Sequence, residues 1–329
     1  MARRILNLDI DHDAICDQWI ANNTNGKSPT INDIADIAGV SKKTVSRVIN
    51  DSEFVSPKTR AVIKAIISKL GFTPDPQARG LAFRRSFLVG LIFDNPNPQY
   101  VVNMQQGILD GLKDTGFELV VHPCDRKSET FLQDAKKFVR EQKLFGVIMT
   151  PSVSEDESIA KAMRETGCEY IRIASMPLDE ERHMIVTDDR HGAKLAAAHL
   201  AELGHKRIAL ITGRADFFSV SERTSGFKEV LSEYGLALPP EYILQGDYSF
   251  ESGMAAGDAL LKLDPAPTAV FAENDEMAAG VIQSLHQAGK QAPESLSVIG
   301  YDDFALCTRI WPTLTTIHSP TRKVGELAA

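Results

Sequence analysis

Apolar residues recur along the chain at two different spacings, and the change of spacing divides it into two parts. Between residues 29 and 73 they recur every three or four positions in three short runs, which is typical of amphipathic helices. From residue 86 onward, two series of short apolar runs alternate with longer amphipathic stretches. This alternation predicts strand–helix repeats, and therefore parallel sheets with helices on both faces. The pattern thus predicts a small all-α unit followed by an α/β core of two doubly wound lobes.

The three helical runs begin and end at residues that favour those positions. Gly39 can adopt the left-handed conformation that ends a helix, and Ser41 is a good N-cap for the next one. Ser56, followed by Pro57, predicts the start of the third helix, which Gly71 ends. Two short helices joined by a tight turn that contains glycine form a helix-turn-helix motif.

The second helix carries a concentration of hydrogen-bond donors at its N-terminal end and on its outward face. These residues are Lys42, Lys43, Thr44, Ser46 and Arg47. A recognition helix places its first turn against base edges, where lysine and arginine donate to guanine and threonine contacts the thymine methyl group. The alternative is the polar face that any three-helix bundle exposes. The tight turn, the N-cap and the donor-rich first turn together favour DNA binding.

The charge of the chain is distributed unevenly. The 329 residues have a formal net charge of -8, yet the segment from Lys27 to Arg85 holds eleven lysines and arginines against five acids. That segment therefore carries +6, and the rest of the chain carries -14. A basic patch on an acidic protein is typical of a local contact with a polyanion. From charge alone, a solvated basic surface is the competing interpretation.

Composition argues against several other classes of protein. The four cysteines, Cys16, Cys124, Cys168 and Cys307, lie far apart and form no CxxC pair. This argues against a disulfide framework or a thiolate metal site and fits a reducing cytoplasm. The sequence has no run of about 18 apolar residues, so no membrane span is expected. Its N-terminus lacks the apolar core of a secretory signal.

The segment from Thr30 to Asn50, TINDIADIAGVSKKTVSRVIN, resembles the DNA-binding head of the LacI family of bacterial transcription regulators. The later strings LGHKRIALITG, SERTSGF, PTAVFAENDEMAAGV and SVIGYDDF occur in the order typical of that family. The similarity covers nearly all of residues 29–325. It implies a homodimer that reads a pseudo-palindromic operator in double-stranded DNA. It also implies a periplasmic-binding-protein-like core that binds a small effector between its two lobes.

The resemblance indicates which residues contact DNA. Lys42 and Lys43 are expected to read bases, and Arg47 to contact a base or a phosphate. The hinge at residues 74–85 is implied to form a helix on DNA and to insert Leu81 as an apolar wedge that unstacks a base step. An ordinary linker is the alternative for this segment. The predicted DNA-binding residues are Thr30, Ser41, Lys42, Lys43, Thr44, Ser46, Arg47, Asn50, Thr59, Arg79 and Leu81.

Polar residues follow the predicted strands of the core at their carboxyl ends. In doubly wound lobes these ends face the cleft in which a ligand binds. Carboxylates and amides beside aromatic rings suit a sugar, because its hydroxyl groups exchange hydrogen bonds with them and its C–H faces stack on rings. Arg223, Asn274 and Asp302 match effector contacts of the family. The predicted effector-binding residues are Asp94, Tyr100, Asp189, Arg223, Tyr248, Phe250, Asn274 and Asp302.

Several alternatives stay open at this point. For each single aspartate at a strand end, a helix N-cap is an equal alternative to a ligand contact. The effector is expected to be a sugar, with a purine-like ligand and an activator or co-repressor mode as alternatives. A solute-binding protein of the same two-lobed fold is the rival from another class, but it requires a signal peptide and no DNA-binding head.

Catalytic and metal-binding patterns are not expected. The pairs Asp188–Asp189 and Asp302–Asp303 have no histidine at ligand spacing, and the sequence holds no EF-hand, P-loop or G-x-S-x-G pattern. We therefore expect a DNA-binding regulator without a cofactor or metal, and not an enzyme.

The sequence predicts the following division of the chain. Residues 1–28 precede the resemblance as an extension of unknown role, either a short helix or a start-site artefact. The sequence stops inside its last predicted helix, whereas the family usually continues with the rest of that helix and a final strand or two, so we expect either a truncated C-terminus or a variant that ends early. The predicted parts are the head at 29–73, the hinge at 74–85, one lobe at 86–186 and 302–318, and a second lobe at 187–301 and 319–329.

Overall fold

The computed structural model describes residues 11–24, 26–49, 52–73 and 86–329. The chain divides into two compact units, Met1–Ser86 and Phe87–Ala329, here called the head and the core. The predicted DNA contacts Asn50, Arg79 and Leu81 lie outside the described residues, as does the whole predicted hinge at 74–85. These remain predictions.

All regular secondary structure in the described part of the head is α-helical. Buried apolar side chains from its helices, among them Ile34, Val45, Ile63 and Leu70, form one hydrophobic core. The helices are α1 (His12–Asn22), α2 (Ile31–Ile37), α3 (Lys42–Ile49) and α4 (Pro57–Leu70).

Local interactions set the ends of α2, α3 and α4; Gly39, Ser41, Ser56 and Gly71 have the roles predicted for them, and the cap at the start of α2 is an additional finding. Thr30 and Asp33 form a reciprocal capping box at the start of α2. The Ser41 hydroxyl accepts a hydrogen bond from the Thr44 amide over 3.2 Å at the start of α3. Gly39, between α2 and α3, has φ 65°, and Gly71, after α4, has φ 64°. Both glycines adopt the left-handed conformation that side chains disfavour, which explains why glycine occurs there.

The N-terminal extension forms a helix, α1, that packs on the head. The Cys16 side chain is only 1% exposed within the head core. Lys69, near the end of α4, places its ammonium nitrogen 2.9 Å from the carboxylate of Asp17 and 3.3 Å from that of Asp13. Of the two alternatives for residues 1–28, the described part therefore matches a short helix, and this helix is part of the folded head.

The first lobe of the core is built on a parallel sheet. Its strand order is β2-β1-β3-β4-β5, and every neighbouring pair is parallel. Its elements are β1 (Leu88–Phe93), α5 (Pro98–Leu112), β2 (Glu118–Pro123), α6 (Phe131–Gln142), β3 (Gly146–Met149), α7 (Glu157–Thr166), β4 (Glu169–Ala174), a 3₁₀ turn (Glu181–His183) and β5 (Met184–Val186).

The second lobe repeats this architecture, with strand order β10-β9-β8-β6-β7 and parallel pairing throughout. Its elements are α8 (Asp189–Glu202), β6 (Ile208–Thr212), α9 (Phe218–Glu233), a 3₁₀ turn (Pro240–Tyr242), β7 (Ile243–Gln245), α10 (Phe250–Leu260), β8 (Ala269–Ala272), α11 (Asp275–Gln287), β9 (Ser297–Asp302), a 3₁₀ turn (Ala305–Thr308) and β10 (Thr315–His318). The last helix, α12 (Thr321–Ala328), follows β10.

The last two segments of the chain each belong to the other lobe from the one predicted. Residues 302–318 were predicted in the first lobe, but β10 pairs with β9 in the sheet of the second. Residues 319–329 were predicted in the second lobe, but α12 packs on α5 of the first. Its Arg322 donates to the Asp110 carboxylate over 2.7 Å, and the backbone of Arg322 approaches Gly107 so closely that a Cβ there would clash. Strand pairing and helix packing thus overturn the predicted assignment.

Parallel topology directs the carboxyl ends of the central strands to one edge in each lobe. The segments that follow β1, β3 and β5 in the first lobe and β6, β8 and β9 in the second supply most of the wall of one cavity in the core. The fold thereby brings together residues that are more than 200 positions apart in the sequence, such as Asn95 and Asp302.

Candidate functional site

The outward side of α3 forms a basic surface in the head. Lys42, Lys43 and Arg47 are exposed, whereas Val45 and Val48 on the opposite side are buried in the core. The side chains predicted to reach DNA bases are therefore free of the packing that holds α3 in place. A helix that buries one side and presents basic donors on the other is suited to contact a polyanion.

The hydroxyl residues predicted to contact DNA have a second role at helix ends. Thr30 donates to the Asp33 carboxylate over 2.6 Å as part of its capping box. The Thr59 amide donates to the hydroxyl of Ser56 over 3.2 Å, and Thr44 is joined in the same way to Ser41. Ser46 is half-buried on α3. Capping places Thr30, Thr44 and Thr59 at helix N-termini, where backbone amides favour phosphate.

A cavity of about 340 Å³ lies between the lobes of the core. The first lobe contributes Asn95, Asn97, Tyr100 and Pro151 to its wall. The segments that follow β5 and the second lobe contribute Asp189, Phe217, Ser219, Arg223, Tyr248, Asn274, Tyr301 and Asp302, among others. The cavity therefore combines aromatic rings with a small number of buried polar groups, as ligand sites do.

A buried ion pair joins Arg223 of α9 to Asp189 at the start of α8. The guanidinium donates to one carboxylate oxygen through Nε over 2.8 Å and approaches it through Nη2 over 2.7 Å. Ser175 and Thr187 each donate a hydroxyl to the other oxygen over 2.7 Å. Burial raises the pKa of Asp189, but the Arg223 charge and these donors outweigh burial and hold that pKa below its usual value.

The rest of the Arg223 guanidinium is also occupied by protein groups. It donates to the backbone carbonyl of Glu273, and its central carbon lies 3.6 Å from the ring centroid of Tyr301. Such stacking on an aromatic face is favourable for a guanidinium. The Glu273 side chain accepts the Gly213 amide over 2.9 Å, and burial raises its pKa to about 8. Arg223 is thus fixed before any ligand binds.

Asp302 presents a different situation at the end of β9. It is 9% exposed and has φ 115°, a conformation that costs energy in a residue other than glycine. None of the described residues donates a hydrogen bond to its carboxyl group. Burial raises its pKa well above the usual range, and the charge of Arg223 offsets this only in part. Asp302 is therefore a buried carboxyl group that lines the cavity and can exchange a hydrogen bond with a ligand.

Asn274 uses its side chain to hold the protein together. As N-cap of α11 it accepts the Met277 amide over 2.9 Å, and it donates to the backbone carbonyl of Tyr248 over 2.9 Å. Tyr248 has φ 74°, and its ring covers Gly213 so closely that a Cβ there would lie 2.0 Å from it. Asn274 thus helps to hold the strained Tyr248 backbone whose ring forms part of the cavity wall.

The first lobe contributes neutral polar and aromatic groups to the wall. Asn97 caps α5 by accepting the amides of Gln99 and Tyr100 over 2.9 and 3.2 Å, and this turn directs Tyr100 to the cavity. Burial raises the pKa of the Tyr100 hydroxyl, so it stays protonated and can donate to a ligand. No group of histidine, cysteine or acidic side chains that would hold a metal ion occurs among the residues that the structure describes.

Comparisons with known proteins agree with this architecture. Residues 30–75 match the family model for bacterial regulatory proteins of the lacI family, and residues 197–329 match that for the periplasmic binding protein-like domain. The ribose operon repressor of Escherichia coli (strain K12) is 32% identical over 299 residues, which cover 91% of this chain and 90% of that protein. The chain belongs to the lacI family of bacterial regulatory proteins.

Solved structures of family members have the same fold over nearly the whole chain. The Lac repressor dimer bound to operator and the anti-inducer ONPF gives a TM-score of 0.74 at 27% identity, with 92% of this chain and 90% of that chain covered. The complex of the transcriptional regulator CelR with cellobiose gives 0.68 at 30% identity, with 92% and 91% covered. As a lacI-family member the chain is a DNA-binding transcriptional regulator with a ligand-binding core. No helix among the described residues is long and apolar enough to cross a membrane.

The structure brings six of the eight predicted effector residues to the cavity and leaves two elsewhere. Asp94 does not line it, because its carboxylate binds the Ser152 hydroxyl and lies 3.4 Å from Arg126 Nε. Phe250 does not line it either, because it begins α10, whose first turn packs on α11 at Gly280. The residues that reach the cavity are Tyr100, Asp189, Arg223, Tyr248, Asn274 and Asp302.

Other aspartates at strand ends have the capping role that the sequence left open. Asp188 accepts the His191 amide at the start of α8, and Asp247 accepts the Ser249 amide ahead of α10. Asp275 accepts the Phe304 amide over 2.8 Å and the Thr316 hydroxyl, so it joins β9 and β10 to α11. These contacts explain why carboxylates are frequent at these strand ends without direct binding of a ligand.

Sequence reasoning missed two aromatic residues of the cavity wall. Phe217 is 3% exposed and meets the Tyr248 ring edge to face at a centroid distance of 5.5 Å. Tyr301 stacks beneath Arg223. The available signals were the Phe217–Phe218 pair directly before an amphipathic helix and the tyrosine directly before Asp302. Neither signal distinguishes a cavity wall from an ordinary core residue.

Proposed function

We propose that the protein is a repressor of carbohydrate-utilisation genes, and that a sugar bound between its lobes changes its affinity for an operator. It acts as a cytoplasmic homodimer, with one head on each half of a pseudo-palindrome. The observation that carries the sugar assignment is the distribution of charge in the cavity. Arg223 is already paired with Asp189, whereas the Asp302 carboxyl group has no donor among the described residues.

This charge distribution favours a neutral ligand that carries hydroxyl groups. Arg223 is the only lysine or arginine among the described residues of the wall, and Asp189 neutralises it. An anionic ligand would therefore meet no free cation, and its desolvation would not be compensated. A sugar hydroxyl can donate to Asp302 and accept from the Tyr100 hydroxyl, since both groups line the cavity.

The aromatic residues and the size of the cavity support the same ligand class. Phe217, Tyr248 and Tyr301 supply ring faces and edges on which the C–H groups of a sugar pack. Ligand sites span about 300–1,000 Å³, so this cavity lies at the small end of that range. The named ligands of similar proteins are also sugars: ribose in the Enterococcus faecium regulator and cellobiose in CelR.

In the head we propose that α3 enters the major groove. Lys42 and Lys43, exposed in its first turn, would read base edges, and Arg47 one turn later would contact a base or a phosphate. The capped N-termini that carry Thr30, Ser41, Thr44 and Thr59 would position the head on the backbone, together with Ser46. We keep Asn50, Arg79 and Leu81 as proposed contacts of the adjoining segments, with Leu81 in the minor groove.

The DNA-binding part is tested by selection of bound duplexes from a random pool with the full chain. We expect a palindromic winner whose affinity falls steeply between two salt concentrations, because lysine and arginine contacts release counterions from phosphates. Absence of any enriched sequence from a protein that is dimeric in solution would contradict the assignment of the head.

The effector part is tested by release of the selected operator in the presence of D-ribose, cellobiose or purine bases. We expect a sugar to change operator affinity, and by linkage the operator to change sugar affinity by the same factor. The transcriptional repressors named PurR in Aliivibrio are about as similar to this chain as the ribose operon repressor is, with 31% identity over 302 residues for that of Aliivibrio salmonicida. A response to purine bases alone would therefore replace the sugar by that second candidate.

A further inference from the structure

The two lobes are joined at the rim of the cavity by a pair of contacts that the DNA and effector assignments do not use. On the first lobe, Arg126 follows β2. Its Nη2 donates to the backbone carbonyl of Asp216 over 2.8 Å and lies 2.6 Å from the Asp216 carboxylate on the second lobe. The guanidinium also lies 5.8 Å from the ring centroid of Phe217, which lines the cavity.

The second contact caps a helix of one lobe with a side chain of the other. Helix α9 has Phe217 at its N-cap position, which provides no side-chain cap. Instead, Glu155 of the first lobe accepts the amide of Phe218, the first residue of α9, over 3.1 Å. The first amides of a helix need an acceptor, and a carboxylate there also interacts favourably with the helix dipole. Helix α9 carries Arg223, so this cap acts on an element of the cavity.

The first lobe holds the segment around Glu155 firmly. Arg172 of β4 is 1% exposed and donates to the backbone carbonyl of Ser154 and to the carboxylate of Glu157, each over 2.8 Å. Ser154 and Glu157 lie on either side of Glu155 in the chain. Because this fixed arginine anchors both flanks, Glu155 approaches α9 from a rigid support.

The contacts across the cleft are incompletely satisfied. Among the described residues, Oε1 of Glu155 is buried without a hydrogen-bond partner, and Nε of Arg126 faces the Asp94 carboxylate at 3.4 Å without forming a regular hydrogen bond. Buried polar atoms without partners cost free energy, so such a contact is less stable than a fully bonded one. A contact of this lower stability is suited to two lobes that must separate to admit a ligand.

We propose that Arg126 and Glu155 form an interlobe latch, a pair of positioning residues on the first lobe that hold the N-terminal end of α9. Through α9 the latch places Phe217 and Arg223 against the cavity. When the lobes separate, α9 loses its cap, and Asp216 loses Arg126 while it keeps its pairing with Arg214 of the same lobe. The role of the latch in effector response rests on the proposed function, but its existence as a contact between lobes does not.

Hydrogen–deuterium exchange of the full chain, without DNA or effector, tests the cap. We expect Glu155→Ala to accelerate exchange about fivefold in peptides that cover residues 214–222, the factor that a typical helix cap contributes. Glu155→Gln keeps an acceptor and should restore at least half of the protection. The matched control is Glu165→Gln, because Glu165 pairs with Lys136 inside the first lobe over 2.7 Å. It should leave residues 214–222 unchanged.

The distance between the lobes tests the arginine contact. Spin labels on Glu141→Cys in the first lobe and Lys262→Cys in the second, both at exposed positions, report lobe separation in a Cys124→Ser background. We expect Asp216→Asn and Arg126→Gln to broaden the distance distribution towards longer values. Asp216→Asn changes the second lobe only, so it decides the question if the Arg126 variant disturbs the first.

Three results would overturn the latch. Exchange at residues 214–222 that is equal in Glu155→Ala and in the control would show that Glu155 does not cap α9. Acceleration spread evenly over the whole core would show an effect on folding only. Lobe distances that are unchanged in both Asp216→Asn and Arg126→Gln would show that the arginine contact does not hold the lobes together. Neither measurement uses DNA or effector, so a failure of operator selection and a failure of the latch are distinguishable.

Discussion

The residues that we expect to bind are exposed in the head and buried in the cavity of the core. In the head, Lys42, Lys43 and Arg47 project into solvent, while Val45 and Val48 of the same helix form the core. In the cavity, the groups expected to contact a ligand, Arg223 and Asp302 among them, are themselves buried. With these proposed sites, we expect binding and folding to be separable in the head and to share residues in the core.

The physical reason is the solvent in which each contact forms. Phosphates approach the head from water and need exposed cations, which contribute little to folding because water solvates them well. A small ligand must instead be enclosed, so the groups that recognise it must be desolvated in advance. Buried charges are tolerated only when they are paired, which is why Arg223 and Asp189 bind each other before any ligand is present.

The strongest test of this difference is Arg223→Ala, because it leaves Asp189 buried without its cation. We expect a loss of about 3–5 kcal/mol in the free energy of unfolding of the core, measured by denaturant titration. Effector response should be lost, while operator binding at temperatures where the core stays folded should persist. Arg182→Ala is the control, since Arg182 pairs with Glu180 at an exposed site. The double variant Arg223→Ala with Asp189→Ala should recover part of the loss, and full additivity would contradict the coupling.

The second largest effect is expected from Gly213→Ala. A Cβ at this position would lie 2.0 Å from the Tyr248 ring, so the ring must leave its place in the cavity wall. We expect a loss of about 1–3 kcal/mol in unfolding free energy, together with weaker effector binding. Tyr248→Ala removes the ring, so its cost and that of Gly213→Ala should not add. Additive costs in the double variant would show that the two residues do not compete for this space.

Much of the head could be predicted from the sequence because its signals are local. The Gly39 turn, the Ser41 cap and the Ser56–Pro57 start each involve residues at most four positions apart, and the structure confirms them. The packing of α1 was not predictable in this way. It depends on Lys69, which lies 56 positions from Asp13 in the sequence, and on burial of a single cysteine.

The core was predictable in its strands but not in its long-range arrangement. The apolar runs predicted the other strands of the core, whereas β10 was missed because it is only four residues long and Ile317 is its single apolar residue. The exchange of the C-terminal segments between lobes depends on which strand β10 pairs with, and sequence pattern does not encode that choice. The same holds for Phe217, whose place in the cavity wall follows from packing between elements that lie far apart in the chain.

In the head, the comparison predicts that function can be removed without loss of stability. We expect Lys43→Ala to reduce discrimination at one operator position by about 1–3 kcal/mol, because the exposed side chain would no longer donate to a base. Its free energy of unfolding should equal that of the wild type. Repeated duplex selection measures the first quantity and denaturant titration the second. Lys58→Ala, at an exposed position of α4, is the control, and an unchanged selected sequence for Lys43→Ala would remove Lys43 from base recognition.

The smallest expected effect concerns Thr30, the residue of the head at which folding and DNA binding should depend on the same side chain. Thr30 caps α2 through the box with Asp33 and is also proposed to contact the DNA backbone. We expect Thr30→Ala to cost about 1 kcal/mol in the stability of the head, the usual contribution of a helix cap, and to weaken all operators equally. Thr30→Ser retains the hydroxyl and should restore both properties, whereas Ser28→Ala, outside α2, should change neither.

Hydrogen exchange of α2 in the full chain measures the loss of stability, and salt-dependent operator binding measures the loss of DNA affinity. Weakened DNA binding with unchanged exchange would show that the hydroxyl serves DNA alone, and the head would then separate folding from binding at this position too.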